Sequence, residues 1–270
     1  MIDPVILERL REMVRGRTGQ LLDSSRAHGI ETRLGAVARR EGFASLDALM
    51  SALPAQGVDS LGWRVIEALL PGDTEFFRHR EQFALLKDQL LPALAKARGR
   101  VRLWSAGCAT GQEAYSLAVT AAEAHAPGIE ILATDISEQA VQKARSGLYT
   151  QFEVQRGLSA RRVLEWFEKD GEMWRAEPQL RGAVRFERAN LLDPPPAGPF
   201  DMILCRNVLG DMEPERRLRV LESLSGVLAS DGVLITAPSE PILAPGAPFR
   251  LVAGRRGVFV KAAPAERQVA

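Results

Sequence analysis

The sequence predicts an open α/β sheet with a nucleotide-type binding site, preceded by an all-helical segment. Residues 101–123, VRLWSAGCATGQEAYSLAVTAAE, combine a short apolar strand, a turn of small residues and an amphipathic helix. A second apolar stretch, residues 131–135, ends in Asp135. The first 70 residues show helical periodicity and no alternating strand pattern.

The turn after the first strand is the first candidate binding element. Gly107 and Gly111 lack side chains, so we expect a ligand to approach the backbone closely there. The helix that opens near Glu113 offers unpaired N–H groups at its N-terminus. In open α/β sheets this βα turn is a nucleotide-binding position.

The residues around this turn favour one type of nucleotide. Neither G-x-G-x-x-G nor G-x-x-x-x-G-K-[ST] occurs, which argues against dinucleotides and phosphate cradling. A carboxylate after the second strand, here Asp135, can accept hydrogen bonds from both ribose hydroxyls. An adenosine ligand without pyrophosphate is indicated, and S-adenosylmethionine fits. The alternative is an ordinary βα turn with a solvent-facing Asp135.

Composition limits the function classes. The chain has 270 residues, 46% of them hydrophobic and 26% charged, with a net charge of +1, which argues against a nucleic-acid binder driven by overall charge. Cys108 and Cys205 stand in apolar segments and are expected to be buried thiols in a reducing cytoplasm. The three histidines lack ligand spacing, so no metal site is expected. With no apolar leader or long apolar run, we expect neither a signal peptide nor membrane insertion.

The N-terminal part is expected to contain four helices. They are Pro4–Arg15, Ser24–Glu41, Asp47–Leu53 and Leu61–Leu70, with residues 54–57 as a loop. The hexapeptide Asp73–Arg78 then places Phe76 and Phe77 between charged residues. Taken alone, this pattern indicates core packing for the two rings and a solvated salt bridge for Arg78. A helix is expected to follow, ending at Pro92.

The middle of the chain is larger than an ordinary crossover between two strands. Helices are expected at Glu138–Ser146 and Leu158–Phe167, with Ser137 and Ser159 as N-caps. Residues 169–172 predict a hairpin turn, with strands around it at 173–175 and 184–188. Residues 148–182 therefore form an insertion.

The last third is expected to complete the sheet. A strand at Phe200–Cys205 directs Asn207 toward the same crevice as Gly107 and Asp135. The remaining elements are expected to be a helix at 214–228, a turn at 231–232, and strands at 233–236, 249–252 and 257–260. The run Asp193–Pro196 is similar to a motif of amino-group DNA methyltransferases, but it lacks the aromatic residue and follows the wrong strand. We interpret it as a stiff loop and expect no nucleic-acid partner.

Five segments together resemble the CheR family, the chemoreceptor glutamate O-methyltransferases. They are TEFFR at 74–78, WSAGCATGQE at 104–113, ATDI at 133–136, NLL at 190–192 and FDMILCRNV at 200–208. Their order and spacing match from about residue 7 to residue 260. The resemblance implies a helical N-terminal domain with linker at 1–92 and a Rossmann-like S-adenosylmethionine-dependent methyltransferase domain at 93–270. It also implies a small inserted β-subdomain at 148–183.

The resemblance also implies the site residues and the reaction. S-adenosylmethionine would be contacted by Thr74, Arg78, Glu113, Asp135, Asn190, Leu191, Asn207 and Val208. Asp135 would bind the ribose and Glu113 would meet the ammonium group. Arg78, the expected catalytic residue, would hold the carboxylate of the methionyl part or of the substrate glutamate. The products would be a glutamate γ-methyl ester and S-adenosylhomocysteine.

Departures from the family pattern concern the substrate more than the cofactor. Residues 210–213, GDME, replace an aromatic-rich run, so Asp211 stands where the family has a tyrosine. The short turn at 169–172 lacks the glycine-rich loop that grips a receptor's C-terminal pentapeptide, which argues against that tether. Arg33, Arg39 and Arg40 match a basic helix that faces acidic chemoreceptor helices, or form a solvated face. An active methyltransferase and a catalytically weak S-adenosylmethionine-binding scaffold both remain open.

Overall fold

The chain forms two compact units. The computed structural model describes residues 2–22, 27–54, 57–240 and 246–263. One unit contains the chain up to Pro71 together with Asp211–Arg217, and the other contains Gly72–Gly210 and the chain from Leu218 onward. The expected boundary at residue 92 is therefore wrong. Phe76, Phe83 and Leu86 are buried in the core of the second unit, which draws the preceding segment into that unit.

The described residues of the first unit form four helices, as predicted. They are α1 (Pro4–Thr18), α2 (Ala27–Arg40), α3 (Leu46–Ala52) and α4 (Ser60–Leu69). Leu10, Leu34 and Leu49 are among the fully buried side chains of its core. The Asp3 carboxylate accepts a hydrogen bond from the Val5 N–H, which satisfies one of the free donors at the start of α1. Residues 24–26 of the expected second helix and residues 55–56 of the expected loop lie outside the described residues.

The second unit contains a large mixed sheet and a small antiparallel one. The strands are β1 (Val101–Ala106), β2 (Ile129–Asp135), β3 (Leu148–Thr150), β4 (Phe167–Asp170), β5 (Met173–Ala176), β6 (Val184–Arg188), β7 (Phe200–Leu204), β8 (Leu228–Ile235), β9 (Phe249–Leu251) and β10 (Val258–Lys261). The large sheet has the order β6-β2-β1-β7-β8-β10-β9. Its first five strands are parallel, and β10 runs antiparallel to both β8 and β9.

The strand order reverses at β1, which pairs with β2 on one side and with β7 on the other. A reversal of this kind leaves a crevice at the carboxyl ends of the two strands, where open α/β sheets bind ligands. The predicted turn after β1 and the segment after β7 both lie at this crevice. The predicted Rossmann-like sheet is confirmed.

Helices follow the strands at nearly the expected positions. They are α5 (Arg80–Leu85), a π-helical turn (Leu86–Leu90), α6 (Leu91–Arg98), α7 (Gln112–Glu123), α8 (Glu138–Ser146), α9 (Gln151–Gln155), α10 (Ala160–Trp166), α11 (Pro178–Ala183) and α12 (Pro214–Val227). The expected end of a helix at Pro92 is wrong. Pro92 lies in the first turn of α6, where the missing N–H of proline costs no helical hydrogen bond.

The small sheet has the order β3-β5-β4, and the predicted hairpin turn joins β4 to β5. Ser137 and Ser159 accept hydrogen bonds from Ala140 N–H and Arg162 N–H, which confirms both predicted N-caps. The strand expected beside the hairpin at 184–188 lies elsewhere. It is β6 of the large sheet, where it pairs with β2.

One further expectation is wrong at the other side of the large sheet. Asp231 and Gly232 were expected to form a turn but lie within β8, at an irregularity where the pairing with β7 shifts register. The strand continues because the irregularity absorbs the extra residues. None of the described helices is long and apolar enough to span a bilayer.

Candidate functional site

The turn after β1 is bound to the end of β2. The N–H groups of Gly107 and Cys108 both donate to the Thr134 carbonyl, at 2.8 and 2.9 Å. The Ala109 N–H donates to the Asp135 carboxylate at 2.8 Å. Ala109 has a positive φ of 47°, a conformation that non-glycine residues adopt rarely and that the surrounding contacts must hold.

The two glycines of the turn are required by packing within the protein. A Cβ on Gly107, whose φ is 86°, would lie 2.6 Å from the Val208 Cγ2. A Cβ on Gly111, whose φ is 94°, would lie 2.8 Å from the Ala144 Cβ and 3.0 Å from the Tyr149 hydroxyl. We expected these glycines to admit a ligand. The directions in which their side chains would extend are filled by protein atoms instead.

Asp135 ends β2 at the predicted position and is half-buried. Besides Ala109, its carboxylate accepts a hydrogen bond from the Ser137 N–H at 2.9 Å. A carboxylate accepts several hydrogen bonds at once. Holding the turn is therefore compatible with accepting ribose hydroxyls.

Glu113 lies in the first turn of α7 and is part of a buried ion pair. Its carboxylate accepts hydrogen bonds from the Ser105 hydroxyl at 2.7 Å and from the Arg206 guanidinium at 2.9 Å. The side chains of Arg206 and Glu113 are 2% and 12% exposed. Arg206 therefore neutralises the carboxylate that we expected to meet an ammonium group.

The segment before α5 is fixed to the core by its two rings. Phe76 packs edge-on against Tyr149 and Phe167, with ring centroids 5.1 and 5.4 Å away. The Phe77 N–H donates to the Ser116 hydroxyl at 2.9 Å. Core packing of Phe76 and Phe77 is thus confirmed.

The two polar residues of this segment with an expected role, Thr74 and Arg78, are half-buried. The Arg78 guanidinium donates to the Asp73 carbonyl at 3.2 Å. The solvated salt bridge considered for Arg78 is thus replaced by a bond to the main chain. The acids of the segment pair with another residue, because Arg156 lies 3.1 Å from the Asp73 carboxylate and 3.2 Å from the Glu75 carboxylate.

The segment after β7 is held by Glu240, which our sequence analysis did not single out. The Glu240 carboxylate accepts hydrogen bonds from four backbone N–H groups: Asn207, Val208, Gly210 and Ala237, at 2.8–3.2 Å. Asn207 has a positive φ of 59°. One carboxylate thus fixes the backbone of two predicted cofactor-binding positions. The only signal in the sequence is an acid shortly after the β8 strand.

Asn190 and Leu191 follow β6 at the same edge of the sheet. The Ala189 N–H donates to the Asp135 carbonyl at 2.9 Å, which keeps the segment beside β2. The Asn190 side-chain oxygen accepts from the Leu192 N–H at 3.1 Å, a local turn typical of asparagine. The backbone contacts therefore bring these two positions near Asp135.

Two cysteines border the turn and the end of β7, and both are buried. Burial raises the pKa of the Cys108 and Cys205 thiols well above the ordinary value, so neither is a reactive thiolate near neutral pH. Within residues 2–22, 27–54, 57–240 and 246–263, no three His, Cys, Asp or Glu side chains are arranged to hold a metal ion.

Asp211 belongs to the helical unit by its contacts. The Leu21 N–H donates to its carbonyl at 2.8 Å, and it lines a small cavity of about 90 Å³ with Leu21, Leu22 and Arg33. Asp211, at the position where the family pattern has a tyrosine, is thus held by the backbone that follows α1.

Comparison with known proteins gives a consistent result. Residues 72–258 match the sequence model of a family described as "CheR methyltransferase, SAM binding domain". The chain is 33% identical over 246 residues to "Chemotaxis protein methyltransferase 1" of Pseudomonas aeruginosa, covering 87% of this chain and 89% of the relative. It is 31% identical over 257 residues to "Chemotaxis protein methyltransferase" of Vibrio parahaemolyticus, covering 92% and 93%.

Proposed function

Because the chain belongs to the CheR methyltransferase family and binds S-adenosylmethionine, we propose that it methylates glutamate side chains of chemoreceptors, forming γ-methyl esters. The observation that supports this most strongly is the convergence of the predicted positions at one crevice. Asp135 ends β2, the Asn207–Val208 segment follows β7, and Glu113 lies in the first turn of the helix after β1.

The side chains present fit S-adenosylmethionine. The turn at 105–113 carries no lysine or arginine for a phosphate, and its polar atoms are carboxylate, hydroxyl and amide groups. We propose that Asp135 accepts the ribose hydroxyls and that Asn190 and Leu191 flank the adenine. Thr74, Glu113, Asn207 and Val208 complete the site around the methionyl part.

The proposed reaction requires little from the protein beyond positioning. When bound, S-adenosylmethionine supplies an electrophilic methyl group on a sulfonium, and S-adenosylhomocysteine is the product. A substrate glutamate is ionised near pH 7, so no general base is needed. Arg78 has a planar fork that matches a carboxylate, and we assign it to the substrate glutamate. The rate then depends on how well the chain aligns this carboxylate with the methyl group.

The basic face of α2 is the proposed receptor contact. Arg33, Arg39 and Arg40 are exposed on this helix. Arg33 also donates to the carbonyls of Leu69 and Leu70, at 3.3 and 3.4 Å, at the end of α4. We propose that the three guanidinium groups bind an acidic face of the receptor's cytoplasmic helices. Substituting Glu for Arg39 and Arg40 together should raise KM for receptor and leave S-adenosylmethionine affinity unchanged.

A C-terminal receptor tether is not part of the proposal. The connection between β4 and β5 consists of Gly171 and Glu172 alone, which leaves no loop to enclose a peptide. Receptors with and without a C-terminal pentapeptide should therefore be methylated at equal rates. We place the reaction in the cytoplasm, where chemoreceptors expose their helical region.

The test is transfer of labelled methyl from S-adenosylmethionine to a receptor cytoplasmic fragment, followed by mild alkali. Label released as methanol identifies carboxyl methyl esters and supports the proposal. A fragment whose acceptor glutamates are replaced by alanine is the matched control and should take no label. Alkali-stable label would show a different acceptor chemistry and refute the proposal.

A second candidate is a catalytically weak S-adenosylmethionine-binding scaffold, favoured by Asp211 at the tyrosine position. It predicts cofactor binding without label transfer. Arg78→Ala separates the two candidates, because an enzyme should lose transfer while keeping its melting temperature. Arg80→Ala, an exposed neighbour on α5, is the matched control and should behave as the wild type.

A further inference from the structure

Arg206 is the first residue after the buried segment Phe200–Cys205 and has no role in the function proposed above. Its side chain is 2% exposed. The guanidinium donates to the Gln82 side-chain oxygen at 3.0 Å and to Glu113 at 2.9 Å. It also bonds to the Arg78 carbonyl and contacts the His79 Nδ1 at 2.8 Å.

Arg206 and its partners come from three separate segments of the chain. Glu113 opens the helix after β1, Arg206 follows β7, and Arg78, His79 and Gln82 precede or belong to α5. Gln82 extends the network because its amide nitrogen donates to the Thr236 carbonyl at 2.8 Å. A single buried guanidinium thus joins the segment of the proposed substrate contact to the helix of a proposed cofactor contact.

This arrangement costs free energy for two reasons: a charge is buried, and two residues adopt a strained backbone conformation. A buried cation is costly unless it is paired, and among the described side chains Glu113 is the acid that pairs with Arg206. His79 has a positive φ of 60° and Phe77 one of 52°. Such backbone strain persists only where surrounding contacts fix it, and Arg206 bonds to the residues on either side of the Arg78–His79 peptide.

We propose that Arg206 is a positioning residue for methyl transfer, holding the Arg78 backbone and the Glu113 carboxylate in one fixed geometry. The proposal rests on the function proposed above for Arg78 and Glu113. Arg206 acts through these residues and does not itself contact the substrate. Five N–H donors in a rigid fork allow it to satisfy all its partners at once, which a lysine ammonium cannot do.

The contact with His79 gives a spectroscopic readout. An arginine only donates hydrogen bonds, so Nδ1 must accept and the His79 proton must lie on Nε2. Burial and then the charges of Arg206 and Arg78 lower the pKa of His79, while the facing acids Glu75 and Glu81 raise it by less. Protonating His79 would make Nδ1 a donor and break the contact. His79 should therefore stay neutral down to a pH below its ordinary value of 6.5.

The test compares Arg206→Lys with Arg100→Lys, an exposed arginine in an ion pair with Glu130. Arg206→Lys keeps the charge beside Glu113 but loses most of the other bonds. We expect kcat to fall about 100-fold, since small misplacements of reacting groups cost that much, with S-adenosylmethionine Kd within about 10-fold of the wild type. Arg100→Lys should change neither constant. An unchanged kcat in the folded Arg206→Lys variant refutes the proposal.

Nitrogen NMR of His79 in the protein without cofactor tests the same arrangement independently of methyl transfer. The wild type should show the Nε2–H tautomer, and Arg206→Lys should raise the His79 pKa and mix the tautomers. An Nδ1–H tautomer in the wild type, or a His79 titration unchanged in Arg206→Lys, overturns the proposal. If the wild type transfers no methyl, the proposed function fails separately. The positioning role of Arg206 would then be tested by the His79 tautomer and titration and by the cofactor affinity of the variant.

Discussion

Two arginine–glutamate pairs lie at opposite edges of the large sheet and differ in nearly every physical respect. At the carboxyl edge, Arg206 and Glu113 are 2% and 12% exposed. At the amino edge, Arg100 and Glu130 are 72% and 49% exposed and make two hydrogen bonds, at 2.5 and 2.9 Å. Water and salt screen the exposed pair, whereas the buried pair is enclosed by protein.

The amino edge also has a wide opening that is lined by several arginines. A cleft of about 710 Å³ is lined by Arg98, Arg100, Arg102 and Arg185, among other residues. Its arginines are occupied by local partners: Arg98 pairs with Asp201 and Asp231, and Arg102 donates to the Ala197 and Pro199 carbonyls. The comparison teaches that charge and volume alone do not identify a site. Burial and the convergence of several chain segments are the features that distinguish the carboxyl edge.

Asp135→Ala should produce the largest effect at the carboxyl edge. The substitution removes the proposed ribose contact and the acceptor of the Ala109 and Ser137 N–H groups. We expect S-adenosylmethionine affinity to fall more than about 100-fold, measured by calorimetry, in line with losing charge-assisted hydrogen bonds. Asp88→Ala, on the exposed surface, is the control. Retained affinity in Asp135→Ala would show that Asp135 does not bind the cofactor.

Glu240→Gln should produce the second largest effect. The amide keeps one acceptor oxygen but turns an NH₂ group toward backbone N–H donors that now share a carboxylate. We expect destabilisation of about 2 kcal/mol or more, since hydrogen bonds to charged groups contribute about 1.5–3 kcal/mol each. Denaturant unfolding measures the loss, and cofactor affinity should fall with it. A stable variant with unchanged affinity would contradict this role for Glu240.

Gly107→Ala should destabilise by about 1–3 kcal/mol, because alanine at a φ of 86° is strained and its Cβ would meet Val208. A double-mutant cycle with Val208→Ala separates the two causes. The cost of Gly107→Ala should shrink in the Val208→Ala background by the part due to the clash. An equal cost in both backgrounds would show that backbone strain alone is responsible.

A pH dependence of intermediate size should come from Glu123. Two hydrogen bonds from Arg162, at 2.7 and 2.8 Å, lower the pKa of Glu123 below its ordinary value. A lowered folded-state pKa contributes stability above the unfolded pKa and loses it as pH falls through the folded pKa. Wild type should therefore exceed Glu123→Gln in stability at neutral pH, and the two melting temperatures should converge below about pH 4. A constant difference down to pH 2 would contradict the assignment.

Arg100→Ala should have the smallest effect. The pair it removes is exposed, and such pairs contribute little to stability. We expect an unchanged melting temperature and unchanged cofactor affinity. A marked loss of either would show that the amino-edge cleft has a function of its own, and the contrast between the two edges would have to be revised.

Much of the fold could be predicted because local patterns determine it. The helices of the first unit, the βα turn and the caps Ser137 and Ser159 each follow from spacing or from a single residue type within a few positions. The pairing of residues 184–188 with β2, rather than with the hairpin, depends on distant contacts. The helix end predicted at Pro92 fails for a local reason, because a proline in the first turn of a helix is equally compatible with the sequence.

In the candidate site, too, some features follow from local sequence patterns and others depend on distant contacts. The end of a strand predicts where Asp135 and Asn207 lie, because parallel strands bring their carboxyl ends to one edge. No local sequence pattern predicts that Glu240 binds the Asn207 backbone or that Arg206 forms an ion pair with Glu113. Those pairs join residues 33 and 93 positions apart. A glutamate or arginine at such a position has the same local pattern as a surface residue.

The helical unit consists of two separate stretches of chain, which has a practical consequence for the design of fragments and chimeras. Asp211–Arg217 belongs to that unit although about 140 residues separate it from Pro71. The segment pairs with the chain after α1: the Glu213 N–H donates to the Gly19 carbonyl at 2.8 Å, and Gln20 forms a β-bridge with Met212. A fragment cut at Pro71 would lack this pairing partner, and a chimera that exchanges the first 71 residues with a relative would have to exchange 211–217 as well. The N-terminal unit is therefore a discontinuous module that has to be exchanged in two pieces.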